Sequence, residues 1–433
     1  MEWYQVGLSL IGLLVLFIFI GLPIPFAMAA AALPFLLSIQ GLSTSLVSAE
    51  LKLWGVWIDY ILLSVPLFVL LGELIGRSNI GPNLYRFLHN GIPMRGSAAY
   101  GSIGACAGFG AVCGSSMVGS LTIGGVALPE MLKLGYDRKL SSGVLAAGGT
   151  LSVLIPPSLI LLFYGIVTDQ SIGRLFIAGI IPGLLLAALF VLVVAVWAKR
   201  YPDDVPEAAH GIKWAAKDIF ITIGPVLVIG AIITVSIYTG IATPTEAAAI
   251  AALATLILAI VLGGLTPQGF VDSIMATMRT MGYLGLLLSA GVLFGFVTNY
   301  YQIPQQFTAY FLDLGLSPYW VLLFVIVFYI ILGMFLEPVS MTFITLPTLY
   351  PLIAASGYDL IWFGIIYTIT MEIAVLTPPV GLNLFVIQGI SKDQVTIGDV
   401  IVGCLPFIGT MLLLLVLLIA FPQVAMWLPE LMK

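Results

Sequence analysis

The chain has 433 residues, of which 61% are hydrophobic and 8% are charged, against roughly 25% charged in soluble proteins. This composition excludes a water-soluble globular domain and predicts an all-α polytopic membrane protein. The formal net charge of −5 carries little information, because in a bilayer it is the placement of Lys and Arg that sets topology.

In chain order, the apolar runs predict spans near 5–21, 24–39 and 54–76, a Gly/Ser-rich segment at 97–129, and spans near 140–166 and 175–198. After a polar linker at 199–217 come spans near 219–240, 244–263 and 281–300, a segment at 318–352, and spans near 360–390 and 401–421. Most are close to the about 20 residues that cross a hydrocarbon core. Met1-Glu-Trp-Tyr-Gln lacks a basic n-region and no small-residue cleavage site follows, so 5–21 is expected to be a retained span. Cys106, Cys113 and Cys404 have no metal-ligand spacing and read as core residues. His89 and His210 fall in connections, where a solvated role is expected.

A repeat organises this series. Pro156-Pro157, Gly135-Tyr136 and Pro129 each recur 222 residues later, as Pro378-Pro379, Gly357-Tyr358 and Pro351. One offset at three landmarks indicates duplication, with one half at 1–198 and the other at 218–433. Each Pro-Pro pair lies inside an apolar run, Leu154–Ser158 in one copy and Leu376–Val380 in the other. Paired prolines remove backbone donors and clash with the preceding turn, so 140–166 and 360–390 should be broken helices. At membrane depth such breaks are tolerated where they line a cavity.

Basic residues decide the form of the Gly/Ser-rich segment. Arg77, Arg86 and Arg95 precede it and Lys133, Arg138 and Lys139 follow, so both ends face the cytoplasm and 97–129 is a re-entrant hairpin. Five crossings then remain per copy, which turns the second copy upside down. The linker, with Lys199, Arg200, Lys213 and Lys217 beside Asp203, Asp204 and Glu207, would be cytoplasmic. The flanks of a second hairpin at 318–352 would be external; 301–317 and 353–359 carry Asp313 and Asp359 but no Lys or Arg. Both termini would be external. Opposed hairpins and broken helices meeting near the midplane are the mark of a secondary transporter.

The first hairpin should turn near 113–120. Ser115, Ser116 and Ser120 add hydroxyls there to carbonyls and amides left unpaired by glycine-rich backbone. Half-helix carbonyls suit Na⁺ and half-helix amides suit a carboxylate. Thr150, Thr377 and Asn383 are oxygen ligands beside the two breaks. Helix packing by small residues is the competing reading at the tip, and a plain proline kink at each break. Glu337, at the second tip, could compensate a cation, gate by protonation or cap the second arm. Glu372 lies beside the second break, and Glu246 after Thr243-Pro-Thr reads as a helix cap. No P-loop, no HExxH and no chain of buried Lys, Glu and His occurs, so neither ATP hydrolysis, nor another enzyme activity, nor a proton relay is expected.

Gly114-Ser-Ser-Met, Pro129-Glu-Met-Leu-Lys-Leu-Gly-Tyr-Asp137, Ala146-Ala-Gly-Gly-Thr-Leu, Ile155-Pro-Pro-Ser158 and Leu376-Thr-Pro-Pro-Val-Gly-Leu-Asn-Leu-Phe385 closely resemble the large membrane subunit of TRAP (tripartite ATP-independent periplasmic) transporters. The resemblance runs essentially full length. It implies an inverted-repeat, elevator-type importer in a bacterial inner membrane, driven by a sodium gradient and using Na⁺ but no organic cofactor. It also implies two partners: a small four-helix membrane subunit, expected here as a separate polypeptide, and a periplasmic binding protein that delivers an organic acid. No nucleic-acid partner is expected. The Na⁺ sites it implies fall on Ser115, Ser116, Gly149, Thr150 and Pro156, and on Glu337, Thr377, Pro378, Gly381 and Asn383. The substrate candidates are Ser116, Ser120, Ser158, Ser340, Thr342 and Asn383. Glu337 departs from the family, which more often has Asp there. An autonomous sodium–dicarboxylate symporter and a structural subunit of a membrane complex are the alternative readings.

Overall fold

A computed structural model describes residues 2–207 and 216–432, and the linker residues His210 and Lys213 lie outside the described residues. Helices α1 (Trp3–Phe19), α2 (Ile24–Gln40), α3 (Leu42–Trp57), α4 (Ser64–Gly76) and α5 (Ile80–Gly91) lead to an antiparallel pair, α6 (Ser97–Cys113) and α7 (Ser116–Lys133). Then come α8 (Arg138–Leu154), α9 (Leu159–Thr168) and α10 (Ile172–Arg200). The remainder forms α11 (Ala216–Tyr238), α12 (Pro244–Val261), α13 (Pro267–Tyr300), α14 (Ile303–Asp313), α15 (Pro318–Gly333), α16 (Pro338–Ala355), α17 (Leu360–Ala374), α18 (Leu382–Ile390), α19 (Ile397–Ala420) and α20 (Gln423–Glu430). Among the described residues there is no strand. By length and composition, six helices could each cross a membrane, or up to eight spans if bent pairs are joined.

Local chemistry sets the element boundaries. Asp137 and Asp359, 222 residues apart, start α8 and α17 by accepting hydrogen bonds from the amides of Lys139 and Leu140, and of Ile361 and Trp362. Thr243 with Glu246 forms a capping box at α12, and Thr396 with Asp399 does the same at α19. The paired prolines interrupt both runs as expected. Residues 155–158 separate α8 from α9 with a 41° bend, and 375–381 separate α17 from α18. Pro156–Pro157 and Pro378–Pro379 are both cis.

Three features depart from the sequence reading. The span expected at 54–76 is two helices, α3 and α4, bent by 56°. Asp59 accepts a hydrogen bond from Ile61 N at 2.9 Å and stabilises a short 3₁₀ turn between them. The third span of the second half, expected at 281–300, extends back to Pro267 because Thr266 caps it, accepting from Gly269 N. Finally, α5 and α14 are helices where only connections were expected. Both have a proline in the first turn, Pro82 and Pro304, again 222 apart.

Packing interlocks elements of the two halves. Helix α2 lies along α13 and α4 along α12. Helix α8 packs on α19, α7 on α18, and α9 on α16, so each hairpin touches the broken helix of the other half.

Candidate ion and substrate site

The first hairpin turns at Gly114-Ser115. Gly114 has φ +67°, and a Cβ there would sit 2.7 Å from the Pro157 carbonyl oxygen, so glycine is required both by conformation and by contact with the first break. The Gly114 carbonyl in turn accepts a hydrogen bond from Leu159 N at 3.3 Å. The second copy makes a similar bond from shifted positions: Met334 O, two residues before the counterpart of Gly114, accepts from Val380 N in the second break at 3.2 Å. Each tip is thus fastened to its own break by one backbone bond. Residue 115 is the N-cap of α7 and residue 337, 222 later, the N-cap of α16.

The two caps differ in chemistry. Ser115 gives its helix no side-chain capping bond, so no side chain of the cap serves the first-turn amides of α7. Glu337 accepts from Val339 N at 3.1 Å, Ser340 N at 3.0 Å, the Ser340 hydroxyl, and Tyr283 OH at 3.4 Å. Capping is therefore a role that Glu337 performs.

Between the tips lies a cavity of about 90 Å³. Ser115 and Ser116 border it from the first tip, Glu337 and Val339 from the second, and Leu159 and Asn383 from the starts of α9 and α18. Among the described residues no basic one lines it. Asn383 is 1% exposed, its backbone N donates to Val375 O at 3.2 Å across the break, and neither side-chain polar atom has a hydrogen-bond partner among the described residues. An amide buried in this state costs free energy unless a ligand or ion completes it. Hydroxyl, amide and carbonyl oxygens around an orphaned Asn form a hard donor set that fits Na⁺.

The sequence candidates divide into those at the cavity and those behind it. Ser115, Ser116, Glu337 and Asn383 border it. Gly149 lets α7 press against α8, since a Cβ there would meet Ser116 O at 2.7 Å as well as the Ser120 hydroxyl. Ser120 is buried and points its hydroxyl toward Leu145 O at 3.4 Å. Thr150 donates to Ala147 O at 2.6 Å, inside regular helix one turn before the break. Pro156 and Pro378 lie in the breaks, and Thr377 donates back to Ile373 O at 2.6 Å. Ser158 caps α9 through Leu161 N, while Gly381, at φ +57°, precedes α18. Ser340 is engaged by Glu337, and Thr342 by Pro338 O at 2.9 Å and Tyr367 OH at 2.8 Å.

Two residues stand differently from their sequence reading. His89, expected in solvent, is 8% exposed, hydrogen-bonded to Ser97 at 3.3 Å and stacked on Tyr85. It is enclosed because α5 is a helix packed on α6, not an open connection. Glu372, which the sequence reading left outside its site, is 1% exposed on α17 and accepts a hydrogen bond from the Ser116 hydroxyl at 3.3 Å. The signal was present in the sequence: Glu372 is the one Asp, Glu, Lys, Arg or His among the α17 residues Leu360–Ala374.

Residues 11–424 match the family described as "Tripartite ATP-independent periplasmic transporter, DctM component". The chain is 32% identical to the C4-dicarboxylate TRAP transporter large permease protein DctM of Vibrio cholerae, over 95% of each chain. It is also 32% identical to the sialic acid TRAP transporter large permease protein SiaM of the same organism, over 96% of each. In fold it resembles the YdaH transporter of Alcanivorax borkumensis, with a TM-score of 0.67 at 14% identity over 88% of this chain and 90% of that one.

Proposed function

The chain belongs to the DctM component family of tripartite ATP-independent periplasmic transporters, and from that premise we propose that it imports an organic anion by coupling uptake to a sodium gradient. It is a multi-pass, all-helical large permease subunit of a transporter and not an enzyme. In the proposed cycle a periplasmic binding protein delivers a carboxylate or sulfonate, and a separate small membrane subunit holds the scaffold in a bacterial inner membrane. The two halves have opposite orientation, and the hairpins with their broken helices move together as an elevator.

The observation that carries this reading is the cavity where both tips meet the starts of α9 and α18, with the orphaned side chain of Asn383 in its wall. Ser115, Ser116 and Asn383 would hold Na⁺ together with carbonyls of the breaks, while Gly149, Thr150, Pro156, Thr377, Pro378 and Gly381 shape the backbone behind them. A bound cation supplies the positive charge that the cavity lining lacks. The uncapped amides of α7 then orient the anion. Ser120, Ser158, Ser340 and Thr342 serve this arrangement from positions already engaged with backbone or side-chain partners. Glu337 holds the second tip in place by capping α16.

Reconstitution in proteoliposomes with the small subunit and a binding protein tests the reading. Uptake should need both an inward Na⁺ gradient and the binding protein, and Asn383→Ala should lower it at least about tenfold, the factor that 1.4 kcal/mol represents. Uptake driven equally by a proton gradient in Na⁺-free buffer would refute sodium coupling.

A further inference from the structure

We infer that Glu372 is a carboxylate ligand to the cation bound at the first hairpin tip, so that the site of the first half is completed by a charge from the second. This inference rests on the sodium reading above. Glu372 sits at the position in the second half that corresponds to Thr150 in the first, 222 residues earlier. The equivalence ends at chemistry. Thr150 uses its hydroxyl within its own helix, whereas Glu372 reaches out of α17 to Ser116 in the first turn of α7.

Three observations converge on a missing positive partner. Oε1 of Glu372 takes the Ser116 hydroxyl, while Oε2 has no hydrogen-bond partner among the described residues, although the residue is 1% exposed. Among the described residues no Lys, Arg or His forms an ion pair with it. Ser116 also borders the cavity, across which Asn383 presents an equally buried and unpartnered amide. A carboxylate taken from water is stabilised by a counter-charge, and among the described residues no Lys, Arg or His supplies one here. A small cation beside Ser116 would meet the free oxygens of Glu372 and Asn383 together. It would also link the first hairpin to the second broken helix. Binding the ion and docking these two elements then become one event, which is how an ion could gate closure of the anion site.

The test is the apparent Na⁺ affinity of the purified permease complex, read from thermal unfolding across a NaCl titration at constant ionic strength held with choline chloride. Wild type should be stabilised by Na⁺ in a saturable way; absence of that response would sink the sodium reading itself. Given the response, Glu372→Gln keeps an oxygen for Ser116 and removes only the charge, and should weaken Na⁺ at least about tenfold, as expected for a lost unit charge close to the ion. Glu372→Asp keeps the charge but withdraws it by one methylene, and should weaken Na⁺ less while changing the preference between Li⁺ and Na⁺. If Glu372→Gln does not fold, the aspartate variant decides alone. Wild-type affinity in the glutamine variant, or wild-type affinity and selectivity in the aspartate variant, would overturn the assignment.

Discussion

The two hairpins share one geometry and differ in what holds them. Both tips are tied to a proline break by a single backbone hydrogen bond, and both second arms begin at residues 222 apart. The first tip depends on a glycine pressed against Pro157, and its helix start is left without a side-chain cap. The second depends on Glu337, which caps its helix and engages Ser340 and Tyr283. The helices that brace the hairpins differ as well. Tyr85 and His89 of α5 stack at 5.9 Å and His89 bonds to Ser97, whereas the equivalent Phe307 and Phe311 of α14 lie 4.7 Å apart and Phe311 packs onto Phe324. A duplicated scaffold can thus keep its hydrogen-bond frame while each copy takes different side-chain chemistry. The open amides go to the first tip and the fixed carboxylate to the second.

The comparison is broken most severely at Gly114. Gly114→Ala adds a Cβ that meets Pro157 O at 2.7 Å on a residue with φ +67°. The left-handed conformation alone costs an L-residue roughly 1–2 kcal/mol. Uptake in the proteoliposome assay should therefore fall by about tenfold or more. Leu336, at the corresponding place in the second tip, has no positive φ, and Leu336→Ala should be far milder. Gly125→Ala, where a Cβ would meet nothing within 4 Å, is the control and should retain full uptake. Equal losses at 114 and 336 would show that the tips do not differ in the way described.

Glu337→Gln sharpens the contrast with a smaller effect. It weakens a cap that serves two amides and a hydroxyl, so about 1 kcal/mol of local stability should be lost. Hydrogen exchange should rise in the first turn of α16 and stay unchanged in α7. Loosening of both tips would mean that the carboxylate acts across the cavity and not only within its own helix.

How much of this was legible in the sequence depends on the kind of signal. Proline pairs, Asp137 with Asp359, and Thr243 with Glu246 act on backbone within a few residues, so breaks and caps could be read directly. The hairpin tips followed from glycine and from the placement of arginines and lysines. What could not be read were contacts made between elements far apart in the chain. Asp59 gave no apolar gap wide enough to reveal the α3–α4 bend. The Ser116–Glu372 bond spans 256 residues, and its two partners belong to different copies. Ser120 and Thr150 have the right atoms for ligands, but the packing of α7 on α8 turns the Ser120 hydroxyl to Leu145 O, and the Thr150 hydroxyl is taken by Ala147 O within α8.

The smallest effect concerns the bracing helices and follows from the burial of His89. Enclosure between α5 and α6 lowers its pKa below the ordinary histidine value, and the nearby Glu130, with Oε1 3.9 Å from Nε2, opposes that shift without overcoming it. A group that is neutral in the fold and readily protonated when released stabilises the fold above its free pKa, about 6.5. That contribution is lost as pH falls below this value, because the loosened state binds the extra proton. Tyr85 and Tyr136, also in the cluster, have raised pKa values through burial and stay neutral in this range. The second hairpin has no titratable counterpart, since Phe307 and Phe311 occupy the equivalent positions. Between pH 7.5 and 5.5, hydrogen exchange in α6 should therefore quicken a few-fold while that in α15 stays level. His89→Gln, which cannot take up the proton, should remove the difference between the two arms. Acid loosening of both arms alike, or its persistence in the glutamine variant, would show that the pH response does not arise from this histidine.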